Sequence, residues 1–400
     1  MITIKQYISC PAASQITRER TQNKFCCFRT VPKEKSSMRN TALFYMNYTA
    51  PYPGNFLASM MTLAKSLEAK NIKSHFIFPE SAGKSSWVLT LTDAGITVSF
   101  IPEGSGAKFR FFREIFKDKK ILFLHLHFTD SMAERLLIKL AMLLDHNKRP
   151  IVVHYHNHYS YHANAVKQLV KKASMHGDYL LGCSAGVAES LKDENLRNDI
   201  AFIENAIAFD RLDSSRSGYG QRNFLQFGFD YERKGVDISL EAFELLRKKY
   251  DDLTLSISLS SNRKYVEDKI TEKLGKIPAW IKLLEPVENI SAYYDEAAAF
   301  LSPSREEGFC YSAVEAAWCK CPVIASDISG QNGINIRGII WCKSESPSDL
   351  ADKIDEFLRL TEEEKSRLGS RLRKSAIKYY DLSRWVGQMI AYYEERKLLT

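Results

Sequence analysis

The sequence has no apolar run near the length of about 20 residues that a helix needs to span a bilayer. Its eight cysteines, Cys10, Cys26, Cys27, Cys183, Cys310, Cys319, Cys321 and Cys342, form no C-x-x-C pair. That argues against a cysteine zinc site, and Cys319 and Cys321 straddle a single residue, a poor spacing for a shared ion. Buried thiols in a reducing cytosol account for them more simply. Charge of one sign is in small excess, +8 over 400 residues. That is too little to argue for a nucleic-acid protein, and no motif of that class is present. The excess is uneven: 7 basic against 2 acidic residues in 1–37, 20 against 15 in 38–207, and 29 against 31 in the remainder. A basic first half points to an anionic partner for that half.

Residues 1–37 also lack the continuous apolar core of a secretory signal. They are basic, polar and aperiodic. The expectation is a disordered tail or an upstream start that is not used, with a transit peptide as a third reading because the segment is acid-poor. What is present is otherwise ordinary for a globular protein: 45% hydrophobic and 26% charged residues. The length suggests two domains with additions.

From Thr41 the pattern alternates strand and helix. The first strand, 41–46, enters a loop containing Pro51-Tyr52-Pro53-Gly54-Asn55. A helix follows with Phe56, Met60, Leu63, Ala64 and Leu67 at helical spacing. Strands are expected near 73–78, 96–101, 120–127, 150–155, 178–182 and 200–203. A second series opens at Asn223, with strands near 224–228, 253–258 and 280–284 and helices near 264–275, 289–296, 347–359 and 361–378. Alternation of this kind implies parallel sheets covered by helices, an α/β fold. The expected division is a first domain at 38–207, a Ser-, Gly- and Arg-rich linker at 208–221, a second domain at 222–379, and a terminal helix at 380–400 carrying Trp385, Met389 and Tyr392.

The rest is organised around Ser302 to Gly330, SPSREEGFCYSAVEAAWCKCPVIASDISG. Phe300-Leu301 ends an apolar strand. Glu307 then lies in a loop at the carboxyl end of that strand, and Glu315 on the helix after it. In open α/β sheets that edge is where ligands bind. Helix-start N–H groups can face an anion, and carboxylates can accept hydrogen bonds from sugar hydroxyls.

This stretch resembles the E-x7-E signature of retaining, nucleotide-sugar-dependent glycosyltransferases of the GT-B fold, family 4 above all. It keeps Pro303, Ser304, Glu307, Gly308, Phe309, Glu315, Ala316, Pro322 and Val323. The resemblance extends over about residues 38–398. It implies two Rossmann-like, doubly wound domains facing a central cleft. It implies a donor that is a nucleotide-diphosphate sugar, UDP- or GDP-linked, no further cofactor and no metal. Lys234, in Lys234-Gly235, matches the lysine that meets the diphosphate, with Arg233 beside it. Gly308, Phe309 and Glu315 fall in the donor site, and Gly54 beside the diphosphate. His156, in PIVVHYHN, matches the histidine next to the donor sugar. Glu307, His156 and Lys234 are thus the expected catalytic residues, and the acceptor is a glycan or a lipid-linked glycan.

The departures are Phe229 where the family has arginine, Cys310, Lys320 and Glu285 where it has glycine, and Ala206 in place of the glycine of I-x-N-G. Phe229, Cys310, Lys320 and Ala206 favour a second reading, a degenerate GT-B partner subunit or scaffold. A sucrose- or trehalose-type synthase and a nucleotide-sugar epimerase are further readings of the same fold.

Two segments stay open. In KFRFFREIFKDKK, 108–120, Phe109, Phe112, Ile115 and Phe116 share one helical face flanked by Lys and Arg. Such a helix can lie on an anionic membrane surface, at the inner face of the plasma membrane, or pack on the sheet. Six of the nine histidines are His125, His127, His154, His156, His158 and His162. Strand alternation puts His125 with His127, and His154 with His156, on one face each. No cysteine or carboxylate spacing completes a closed metal site, so none is expected.

Overall fold

The computed structural model describes residues 40–400 except 51, 130, 145–147, 159–176, 194–198, 260–261, 286 and 288. The expected tail at 1–37, and His162, lie outside the described residues.

Among these residues, seven strands form one parallel sheet: β1 Asn40–Met46, β2 Ile72–Pro79, β3 Thr97–Ile101, β4 Ile121–His127, β5 Ile151–Tyr155, β6 Tyr179–Gly182 and β7 Ala201–Phe202. Their order is β3-β2-β1-β4-β5-β6-β7. Six more, β8 Asn223–Phe227, β9 Thr254–Ser258, β10 Ile281–Leu284, β11 Phe300–Ser302, β12 Val323–Ser326 and β13 Ile340–Cys342, form a second in the order β10-β9-β8-β11-β12-β13. Both follow the doubly wound order, which reverses between β1 and β4 and between β8 and β11. A ligand crevice is expected at the carboxyl ends of those four strands.

The strands are apolar on both faces because helices cover both. In β4, Ile-Leu-Phe-Leu-His-Leu-His, Leu124 and Leu126 join a core with Tyr45, Phe112 and Phe116. Phe123 points the other way, into a core with Phe44, Phe76 and Tyr393. The period of two thus sends His125 and His127 to the Phe123 side.

The chain crosses back after the second sheet. A capping box of Thr361 and Glu364 opens the helix Glu362–Tyr380. Asp381 then caps the helix Leu382–Glu395. That last helix buries Trp385, Met389 and Tyr393 against Phe44 and Phe123 of the first sheet. The Ile207 N–H donates to the Tyr380 carbonyl at 2.9 Å, fixing the return.

The basic-aromatic segment forms the helix Ser105–Phe116, ending before Lys117–Lys120. Phe112 and Phe116 are 0% and 1% exposed, and the Phe112 ring lies 5.6 Å from Tyr45. Phe109 and Ile115 pack on the same core. Lys108 pairs with Glu134 at 2.5 Å. The aromatic face is therefore packed on the sheet, the second of the two readings for 108–120. No helix among the described residues is long and apolar enough to cross a membrane.

Removing the Phe112 ring should destabilise the protein by about 3–5 kcal/mol, as large-to-small changes of a buried aromatic do. Denaturant unfolding of Phe112→Ala reads this directly. Wild-type stability would mean that the face is not core.

Candidate active site

The loops after β8 and β11 meet because of one glycine. Gly235 sits at φ +64°, and a Cβ there would stand 2.1 Å from the Pro303 carbonyl oxygen. Only glycine permits both the left-handed backbone and the contact. Gln226 of β8 anchors the adjacent residue, its Nε2 donating to the Lys234 carbonyl at 2.7 Å. The Lys234 ammonium is thereby aimed at Glu307, with Nζ 2.5 Å from Oε1. The Ser304 hydroxyl donates to the same oxygen at 2.8 Å. Both charged side chains are buried, 9% and 5% exposed.

Arg233 extends the cluster. Its Nη1 lies 3.8 Å from Glu307 Oε2, and its Nε donates to Asp230 at 2.9 Å. Phe229 turns its ring to both cations, 4.7 Å from Lys234 Nζ and 5.5 Å from the Arg233 guanidinium. The ring brings no charge in place of the arginine of the similar family, but its face attracts the cations.

The first sheet closes on this loop. A Cβ on Gly308 would stand 2.0 Å from the His156 carbonyl oxygen, so the two backbones touch. The Ser184 hydroxyl, just past β6, donates to the Gly308 carbonyl at 2.6 Å. Asn55, at the start of the helix Gly54–Ala69, donates from Nδ2 to Glu315 Oε1 at 2.6 Å. Tyr294 donates to the other Glu315 oxygen at 3.0 Å. Burial raises the Glu315 carboxyl above the usual carboxylate range, against the opposing pull of Asn55, Tyr294 and Arg211. A pocket at this seam is lined by Asn157, His158, Asp230, Arg233, Glu306 and Gly308.

His156 stacks on Phe128 with ring centroids 4.1 Å apart, and its Nε2 lies 3.0 Å from His127 Nδ1. Burial first, then the neighbouring histidines, hold its imidazole well below the ordinary range. It is therefore neutral near pH 7, with one nitrogen that can donate and one that can accept.

The structure gathers Lys234, Arg233, Glu307 and Gly308 on one pair of loops and sets His156 against Gly308. Gly54 and Glu315 are joined through Asn55. Phe309 goes elsewhere: its ring is 7% exposed and packs 5.0 Å from Tyr311 and 5.5 Å from Tyr380. Its side chain is core, and only its backbone remains to meet a donor. Sequence reasoning gave no role to Asn55, Tyr294 or Arg211, nor to the hydroxyls of Ser184 and Ser304. Ser304 stands in the signature, three residues before its partner Glu307; the partners of the others lie on distant segments, and nothing local marks them. The ligand nitrogens of His125, His127 and His154 lie within 4.8 Å of one another, a grouping across two strands that spacing along the chain does not show.

Comparison with known proteins fits this geometry. Residues 214–375 match the family described as glycosyl transferases group 1. Over 214 residues the chain is 30% identical to the serotype-specific mannosyltransferase WbdA of Escherichia coli, covering 47% of this chain and 26% of that protein. It is 28% identical over 214 residues to an uncharacterized glycosyltransferase of Methanocaldococcus jannaschii, covering 52% and 57%. The matched stretch thus spans about a quarter of one relative and just over half of the other. Among solved structures, Anabaena HepE in complex with UDP and glucose superposes with a TM-score of 0.73 at 15% identity, over 89% of this chain and 100% of that one. Sucrose-phosphate synthase from Thermosynechococcus elongatus gives 0.69 at 14%, over 90% and 100%. At such identities the likeness is one of fold. Residues 214–375, which carry Lys234, Glu307 and Glu315, match the glycosyl transferases group 1 family, and the two parallel sheets form a GT-B frame.

Proposed function

We propose that this protein is a retaining glycosyltransferase. It moves a hexosyl group from a UDP- or GDP-linked sugar to a glycan or lipid-linked acceptor, in the assembly of cell-surface polysaccharide or glycolipid in the cytoplasm. The observation that carries the reading is the buried Lys234–Glu307 pair at the carboxyl edge of β8 and β11. The Escherichia coli relative is a mannosyltransferase by name, and Anabaena HepE was solved in complex with UDP and glucose; both support the substrate class.

When the sugar leaves the nucleotide, the bond from C1 to the phosphate oxygen breaks and negative charge grows on the diphosphate. Lys234 stabilises that charge. Its ammonium has three protons, so it can keep Glu307 and still donate to a phosphate oxygen. Arg233 adds a second cation from the same loop. Glu307 accepts hydrogen bonds from hydroxyls of the donor sugar. Glu315 takes the ribose hydroxyls in exchange for Asn55. His156, neutral, hydrogen-bonds the sugar from the facing sheet. With a lysine, an arginine and the start of the helix Tyr311–Trp318 at the diphosphate, no metal is assigned to that group.

The second reading is a nucleotide-binding partner without activity, favoured by Phe229, which is 42% exposed where the similar family carries arginine. The intact Lys234–Glu307 pair argues against it.

Lys234→Ala and Glu307→Ala should each lower transfer by about 10²–10³, the usual effect of deleting one group that stabilises developing charge. Circular dichroism should show both folded, although removing either partner leaves a buried charge and lowers stability. Wild-type rates in both variants would overturn the site. The first-formed product should keep the anomeric configuration of the donor, read by proton NMR during turnover. An inverted product would remove retention and leave the donor site standing.

A further inference from the structure

The reaction leaves a cluster of histidines unused in the first sheet. The register of β4 on β5 sets His127 beside His154. Alternation along β4 brings His125 to the same face, its ring centroid 4.1 Å from that of His127 and 5.5 Å from that of His154. All three residues are buried, at most 2% exposed. Their polar atoms are left idle in a way that buried groups seldom are: His125 Nε2, His127 Nε2 and both ring nitrogens of His154 have no hydrogen-bond partner. Aromatic rings wall the cluster, with Phe44 5.8 Å from His125 and Phe56 5.3 Å from His127.

We infer that His125, His127 and His154 hold one divalent transition-metal ion of the zinc class. The facing nitrogens lie within 4.8 Å of one another. Zinc–nitrogen bonds of about 2.0–2.1 Å would draw them inward by turning the rings. The outer nitrogens of His125 and His127 already have the orienting bonds that metal-ligating histidines usually show. His125 Nδ1 lies 2.7 Å from the Tyr393 hydroxyl, and His127 Nδ1 lies 3.0 Å from His156 Nε2. That leaves Nε2 of each free for the ion. Imidazole ligates through the lone pair of its neutral form. Three nitrogen ligands leave a fourth position open.

Two consequences follow. The ion would tie the first sheet to Tyr393 on the returning helix Leu382–Glu395. It would also fix a tautomer. With Nε2 of His127 on the metal, its proton sits on Nδ1 and is donated to His156 Nε2. His156 then carries its own proton on Nδ1. This last step rests on the reading of His156 as a contact of the donor sugar; the metal site does not.

The test is elemental analysis of the full chain, purified without a histidine tag and dialysed against zinc. The wild type should hold about one zinc per chain, and His154→Ala and His125→Ala should hold less than about a tenth of that. Cobalt loading of the wild type should give the visible absorption of a low-coordinate cobalt–imidazole site. Melting of the wild type should fall on treatment with a strong chelator and recover with zinc. If the wild type takes up no more zinc, copper, nickel or cobalt than His154→Ala, the inference is wrong. Should a variant fail to fold, the wild-type stoichiometry and cobalt spectrum decide alone, and a wild type without bound metal overturns the site. Loss of transfer in Lys234→Ala with zinc retained would separate this site from the donor site.

Discussion

A lysine and a glutamate buried together at the edge of a sheet set the terms for this structure. Desolvating both charges costs several kcal/mol per ion, and their attraction in the interior repays that only with good geometry and further hydrogen bonds. Here the geometry is provided. Lys234 Nζ is 2.5 Å from Glu307 and Ser304 supplies a further hydrogen bond. A buried pair of this kind is weak evidence for stability. Its position is better evidence for use, since it stands where the strand order of the second sheet reverses. Gly235 lets the two loops press together, and without it the ammonium and the carboxylate would not meet.

The same pair makes the seam between the sheets consequential. Both of its side chains are less than a tenth exposed. In the proposed reaction a sugar nucleotide would have to reach them beside the contacts at Gly308, Ser184, Asn55 and Glu315. Two of those contacts are single hydrogen bonds, Ser184 to Gly308 and Asn55 to Glu315. Each contributes of the order of 1 kcal/mol.

What was legible in the sequence is what is local. The P-S-x-x-E-G-F stretch and the glutamate eight positions on are contiguous, and the strand–helix alternation that frames them is a pattern of neighbours. The parallel pairing within each sheet follows from that alternation. What joins distant segments was not legible. Asn55 and Glu315 are 260 residues apart, and Ser184 and Gly308 are 124 apart. The helix Ser105–Phe116 shows a further limit: an aromatic face flanked by basic residues suits a membrane or a core equally, and only Tyr45 beneath it decides. Phe309 sits in the signature yet turns into the core against Tyr380. The histidines show the same boundary. Alternation paired them on each strand, and only the pairing of β4 with β5 brought three of them to one point.

The proposed donor site depends most on Lys234 meeting a diphosphate. The direct measurement is the melting temperature of wild type and Lys234→Ala with UDP, GDP, and the matching monophosphates. A diphosphate present at a hundred times its dissociation constant should add about 2.7 kcal/mol to the wild type. The expected result is a shift with one diphosphate, a smaller one with its monophosphate, and none in Lys234→Ala. Equal shifts in wild type and variant would contradict the assignment of Lys234 to the diphosphate.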